Sequence, residues 1–409
     1  MMTRRDLLKT AMVLPTGVWL SRFQALAAPA AGQHKITAIK ALQLKEGNTY
    51  IKVETDDGLS GYGPCGGPAS TARDVIHALH FARLPHLGLV GKDPLAIQVH
   101  FHNMFYAYPQ RGRAMRVLSG IDMALWDLAG KILGLPVARL LGGPFRDSIP
   151  LYSHSGTKDC FSKESWHATA DNHRADPRGF KAFKVDIHHP LGGNMQQYIP
   201  SIGPQEARKV ALCYALAREA FGPDIDIIVH CHCELDLASA IKVAEAVEPI
   251  HPLFFEDPLA PAFSESWMAL RRSTRLPLLT GENIELLEGA MPFLQNQAIS
   301  CLQPDLINCG GISGANMIAG LAAAYRTPIC LHNVSGYALN LASQQWTAGH
   351  FNCPMLECRR DAYQAPEAAA NVPVIKDGKM MVSSAPGLGI EFNQDYLKAN
   401  LAPGEPWWG

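Results

Sequence analysis

A chain of 409 residues that is 47% hydrophobic and 18% charged is long enough to bury a large core and to divide into two domains. Its formal net charge is −1, and Arg and Lys are scattered except at the extreme N-terminus, which excludes the basic patch that a nucleic-acid partner needs. Beyond the N-terminal leader no segment reaches the roughly 18 apolar residues of a membrane span.

The first 27 residues read as that leader. Thr3-Arg4-Arg5-Asp6-Leu7-Leu8-Lys9 precedes a mildly apolar stretch from Leu7 to Leu20, and Ala25-Leu26-Ala27 supplies a small-residue cleavage pattern. The arrangement resembles a twin-arginine export signal, a route for proteins already folded, often around a cofactor acquired in the cytoplasm. A soluble periplasmic or secreted protein is therefore expected, with no membrane contact after the signal is removed and with residues 1–27 outside the fold. Of the ten cysteines, Cys301, Cys309, Cys330, Cys353 and Cys358 lie in apolar strand-like runs. Buried free thiols are expected there, since a core of this size needs no disulfide framework.

Residues 36 to 62 show two alternating runs, then Asp57-Gly58 as a turn, then a short third strand, which together make an antiparallel meander. From Ala69 to Leu141 the period becomes helical. It is clearest in RVLSGIDMALWDLAGKILG, where Val117, Ile121, Ala124, Leu125, Leu128 and Ile132 recur at three and four, and Gly134 and Pro136 stop the helix. An α+β domain over 34–147 results.

After Ile149 come eight short apolar runs: IPLYSH, FKAFKVDI, IDIIVHC, PLFFED, LPLLTGE, ISCLQPD, PICLHN and PMLEC. Helical segments such as LASAIKVAEAVEPI and GANMIAGLAAAYR separate most of them. Strands alternating with helices fit a parallel barrel or a doubly wound open sheet. The polar residues that end nearly every strand favour the barrel, where such ends converge on one mouth, whereas an open sheet spreads them along an edge. The barrel is expected over 148–370, and the Pro- and Gly-rich residues 371–409 are expected to pack back on the first domain.

The run IIVHCHCELD places His230, Cys231, His232 and Cys233 in succession. On a strand, neighbours face opposite sides, so the two histidines share one face, the two thiols the other, and the four cannot surround one ion. His230, Glu256 and Glu282 end consecutive strands. A divalent cation held by the three is the economical explanation, because uncompensated carboxylates facing each other repel. An imidazole brings no negative charge, which favours Mn, Fe or Zn over Mg. His332 on the seventh strand, oriented by Asp305 on the sixth, suits proton abstraction. Lys184 and His232 lie across the mouth, the lysine to hold a substrate carboxylate and the histidine to protonate a leaving hydroxide.

These residues carry a resemblance to the enolase superfamily, in its mandelate racemase/muconate lactonizing enzyme branch. SGIDMALWDLAGKILGLPVARLLGG resembles the end of that branch's capping domain, FFEDPL and TGEN its second and third metal-ligand motifs, QPDLINCGGISG its Asp strand, PICLHN its base strand and APGLGIEF its C-terminal signature. The resemblance spans about residues 36–395, and at IIVHCH it comes nearest to the galactonate- and mannonate-type sugar acid dehydratases. It implies an α/β fold, an α+β cap over a modified TIM barrel, (β/α)7β, with one divalent metal, Mg in the family. It also implies removal of the proton α to a carboxylate through a metal-stabilised enediolate.

Glu357 matches an acid that hydrogen-bonds the substrate carboxylate, His232 an acid that expels the 3-hydroxyl, and the family associates as homo-oligomers. Two positions depart from the pattern. His230 stands where those dehydratases have a metal-binding Asp, and Lys184-Val185-Asp186 stands where racemase-like members have Lys-x-Lys with the second Lys as a base. That loss argues against a two-base racemase. Asp186 either pairs with Lys184, contributing to substrate binding, or supplies the carboxylate that His230 lacks. Arg111 and Arg113 in the cap loop YPQRGR either hold substrate or stand in a solvated loop. The function expected is a metal-dependent hydro-lyase acting on a small carboxylate, a sugar acid or similar hydroxy acid. Its rivals are a racemase or epimerase and a catalytically silent binding homologue.

Overall fold

The structure, a computed structural model, describes residues 21–81, 88–107, 111–192, 197–199, 201–359 and 365–408. Residues 1–20 of the expected leader, Arg4 and Arg5 included, lie outside the described residues, as do residues 108–110 of the cap loop. Residues 21–27 are helical, and the buried Phe23 ring lies 5.1 Å from that of Trp126. This last part of the expected leader is thus packed on the cap, because its aromatic side chain finds an apolar seat there.

Three strands, β1 (Ile36–Gln43), β2 (Thr49–Thr55) and β3 (Ser60–Cys65), form the antiparallel meander, with Gly58 at φ +85° in the second turn. The helix Arg113–Leu133 packs on this sheet and ends at Gly134, whose φ of +64° is the left-handed conformation that stops a helix. Contact is backbone to backbone. A Cβ on Gly63 of β3 would lie 2.1 Å from the carbonyl oxygen of Gly120, so no side chain fits there. The buried Asp127 accepts from the Tyr62 amide at 2.8 Å, from Lys131 Nζ at 2.6 Å and from the Leu388 amide at 2.7 Å. One carboxylate therefore ties sheet, helix and C-terminal segment together.

Parallel strands covered by helices on the outside and by packed side chains inside read as continuous apolar runs, which is why they stand out in the sequence. They are β4 (Ser148–Ser155), β5 (Ala182–Asp186), β6 (Asp226–His230), β7 (Phe254–Glu256), β8 (Leu278–Thr280), β9 (Cys301–Leu302) and β10 (Leu356–Glu357). Between β9 and β10 the seventh position is held by single bridges, Leu302 to Ile329, Asp305 to His332 and Leu331 to Leu356. β10 pairs in parallel with β4, Leu356 opposite Leu151, and this pairing closes the barrel and removes the open-sheet alternative. Inside, Tyr152, Ala182, Ile228, Leu279, Cys301 and Cys330 pack below the mouth.

A helix follows each of the first seven barrel positions, the last being Tyr337–Ala348, but among the described residues none covers the step after β10. There the chain turns through β11 (Ile375–Lys376) and β12 (Lys379–Met381), which pairs antiparallel with the start of β4, and runs back to the cap, where Leu401 bridges Leu44. The architecture is (β/α)7β beneath an α+β cap. All ten cysteines are free, and all but the half-buried Cys233 are buried.

Candidate active site

Strand register assembles the mouth. Asp186, His230 and Glu256 are partners across β5, β6 and β7, and Asp305 is the partner of His332. The His230 and His232 rings lie 4.2 Å apart, as their shared face predicts. Their thiol neighbours do not form a matching pair behind them. Cys231 is buried, but β6 ends at His230 and the chain turns, so that Cys233 adopts a positive φ of +63°.

His230, Glu256 and Glu282 each present a ligand atom within 4.8 Å of the others. Nε2 of His230 and Oε2 of Glu256 are buried without a hydrogen-bond partner, and such orphaned polar atoms are what a cation completes, whereas Nδ1 of the same ring lies 2.6 Å from Asp186 Oδ1. Burial, and then the nearby Lys184 ammonium, push the His230 imidazole well below its ordinary value, so it is held in the neutral form a ligand needs. The donor set fits a divalent ion. Two other triplets among the described residues have similar spacing, His154–Asp186–His230 and Asp186–His188–His189.

Lys184 is placed differently from the expectation. It is 1% exposed, bonded to Glu256, 2.8 Å from Glu357 Oε1 and over the Tyr152 ring. In register it is the partner of Ile228, two residues before the Asp186–His230 pair, and its ammonium is taken by Glu256 and Glu357 and not by Asp186. One ammonium serves two carboxylates. Burial would raise Glu357, but Lys184 and His332 hold it well below the usual range, whereas burial pushes Glu256 up to about 7 despite Lys184.

His332 Nδ1 is 2.7 Å from Asp305 Oδ2 and its Nε2 is 3.2 Å from Glu282 Oε2. Burial would lower this imidazole, but Glu357, the Asp305 hydrogen bond and Glu282 raise it to about 10 before any cation arrives. For His232, burial also acts downward and is outweighed, chiefly by the hydrogen bond to Glu234 and the charge of Asp186, so its pKa is raised and it tends to carry a proton.

Glu357 is buried, accepting from the Asn333 amide at 3.3 Å and contacting His154 Nε2 at 2.8 Å. His154 is a site residue that sequence reasoning missed, although it ends the IPLYSH strand just as other polar residues end theirs. The exposed Arg111 stands 3.7 Å from Glu285, whose other oxygen takes the Gly112 amide, so the described part of the cap loop is tied to the residue three past Glu282; Arg113 is exposed as well. Beside the mouth a polar cavity of about 570 Å³ opens between the β1–β2 turn (Lys45, Glu46, Asn48) and Ser335 and Arg359 of the barrel.

Residues 168–396 match the enolase C-terminal domain-like family and residues 35–142 the mandelate racemase/muconate lactonizing enzyme N-terminal domain. A D-galactonate dehydratase of Xanthomonas campestris pv. campestris is 32% identical over 397 residues, covering 91% of this chain and 96% of that protein. A D-galactarolactone cycloisomerase of Agrobacterium fabrum is 29% identical, with 86% and 91% covered. The crystal structure of a mandelate racemase/muconate lactonizing enzyme-like protein from Rubrobacter xylanophilus superposes with a TM-score of 0.80 at 29% identity, covering 92% of this chain and 99% of that one.

Proposed function

The chain belongs to the mandelate racemase/muconate lactonizing enzyme family of the enolase superfamily, and from that membership and the mouth's geometry we propose that it is a metal-dependent dehydratase of a sugar acid. The observation that carries the reading is the pair of imidazoles on opposite walls. His332, at the seventh barrel position, has Nδ1 fixed by Asp305 and Nε2 turned toward Glu282, while His232 follows β6, the third.

His230, Glu256 and Glu282 would hold the divalent cation, which supplies positive charge to the substrate carboxylate as its α-proton leaves. His332 Nε2 takes that proton. Asp305 keeps the accepting nitrogen free and stabilises the imidazolium that forms. His232 delivers a proton to the departing 3-hydroxyl, in keeping with its raised pKa. Glu357, pinned by Lys184 and His154, lies at the carboxylate end of the substrate. The polar lining of the adjoining cavity, with Lys45 and Arg359, suits a polyhydroxylated acid better than an aromatic one. A two-base racemase is disfavoured, because the group opposite His332 on β5 is Asp186, already against His230 at 2.6 Å.

The ligand chemistry favours Mn, Fe or Zn over Mg. We further propose twin-arginine export, on the strength of Arg4-Arg5 and the following apolar stretch, and association as a homo-oligomer. N-terminal sequencing of the exported protein should start near residue 28; a chain that retains Phe23 would refute cleavage at Ala27. For the reaction, a panel of five- and six-carbon aldonates is incubated with protein and Mn2+, Zn2+ or Mg2+ in deuterated water. A 2-keto-3-deoxy acid with deuterium at C3 is expected. Recovery of substrate labelled and inverted at C2 would make the protein an epimerase, and no turnover with any metal would make it a binding protein.

A further inference from the structure

We propose that Asp186 and His230 form a single metal-binding unit, in which Nε2 is the ligand and Asp186, set against Nδ1, supplies the negative charge that an imidazole lacks. The proposal rests on the reading that a divalent cation sits among His230, Glu256 and Glu282.

Ring geometry gives each nitrogen one task. Nδ1 is 2.6 Å from Asp186 Oδ1, and Nε2, on the far side of the ring, is 3.5 Å from Glu256 Oε1. Metal–nitrogen and metal–oxygen bonds near 2.0–2.2 Å set two ligands of one ion about 3.0–3.4 Å apart. At 3.5 Å the Glu256 spacing is only about 0.1 Å wider than that range, so a small inward movement lets one ion bridge the two atoms. The Asp186 spacing is too short to admit an ion between the two atoms, so Asp186 contacts the ligand and not the metal. The same distance argues against an ion at the His154–Asp186–His230 triplet, where His154 Nε2 is in any case engaged by Glu357.

His230 is 2% exposed, and its Nδ1 and Asp186 Oδ1 are buried, in close contact with each other and with no other hydrogen-bond partner among the described residues. A carboxylate against the outer nitrogen of a ligating imidazole fixes its tautomer and strengthens it as a donor. The charge balance needs this help, because Glu256 already shares Lys184 and the imidazole is neutral. Since Asp186 and His230 are register partners, the negative charge is supplied from one strand over.

Calorimetric titration of the metal-stripped full-length protein with Mn2+ and Zn2+ tests this without reference to turnover. Asp186→Asn and Asp186→Ala should each weaken binding by about 10–100-fold, and Glu282→Gln should weaken it at least as much, with the melting temperature of each metal-free variant confirming that it folds. If Glu282→Gln weakens binding while both Asp186 variants stay within threefold of the parent, the proposal fails and the cation site stands. If Glu282→Gln changes nothing, the cation site itself is misplaced and the proposal falls with it. If His154→Ala weakens binding as much as Glu282→Gln, the ion lies at the His154 triplet, and Asp186 is a ligand in its own right, which also overturns the proposal.

Discussion

Replacing Asp305 with Asn tests the base most directly. Asp305 has two acceptor duties, Oδ1 taking the Ile307 amide at 2.7 Å and Oδ2 taking the His332 Nδ1 proton at 2.7 Å. Asparagine has only one acceptor oxygen. If that oxygen turned to His332, the amide nitrogen would face the Ile307 N–H, leaving buried donors in conflict at a cost of about 1–3 kcal/mol. If it stays with Ile307, the amide NH2 faces Nδ1, and His332 relieves the clash by shifting its proton to Nε2. The second arrangement wins, and it blocks the nitrogen that must accept the substrate proton. A wrong-tautomer imidazole costs on the order of 10^3–10^4 in kcat, as in the handicapped triad of a serine protease, equivalent to about 4–5.5 kcal/mol of barrier. The assay is exchange of the C2 proton with solvent deuterium, followed by magnetic resonance alongside product formation at saturating metal. Metal affinity and KM should stay within about threefold. An Asp305→Asn rate within tenfold of the parent would show that His332 does not act through this pair.

Three further outcomes follow from other contacts. His232→Asn should abolish water loss while C2 exchange persists, and a variant that loses both would place His232 in the proton-abstraction step instead. Asp127→Ala leaves the Tyr62 and Leu388 amides without an acceptor and takes from Lys131 its carboxylate, though not its carbonyl partners at Ser60 and Ile390, so denaturant unfolding should show about 2–4 kcal/mol less stability; a loss under 1 kcal/mol would mean that this carboxylate does not join cap to C-terminal segment. Asp122 is fully buried, accepts from the Ser313 amide at 2.9 Å, and burial raises its carboxyl to about 7. The folded state therefore keeps a proton that the unfolded chain releases from pH 4 upward, so its contribution to stability is present at low pH and is lost as pH rises toward 7. Asp122→Asn should gain on the parent by up to about 4 kcal/mol across that interval, measured by urea unfolding at several pH values; a pH-independent difference would contradict the assignment.

How much of this was legible in the sequence depends on the range of the interaction. Strand ends were visible because parallel strands buried on both faces read as unbroken apolar runs that stop at polar residues, and Gly134 was visible as a stop because local backbone chemistry decides it. Partner choice was not. Lys184 and Asp186 lie two apart on one strand face, so their spacing alone suggests a pair. Inter-strand register instead sets Asp186 against His230, and the length of the lysine side chain carries its amine to Glu256 and Glu357. The thiols failed for the opposite reason, since alternation holds only while a strand lasts and β6 ends at His230.

His154 was overlooked because its partner, Glu357, is 203 residues away. That contact exists only because β10 pairs with β4, the same pairing that closes the barrel. Until this strand docks, Lys184 would face Glu256 without Glu357 and would neutralise that ligand carboxylate alone. The cation's affinity should therefore be tied to closure of the last strand, with binding energy appearing as stability of the β4–β10 seam. A chain in which that seam is weakened should lose metal before it loses its helices.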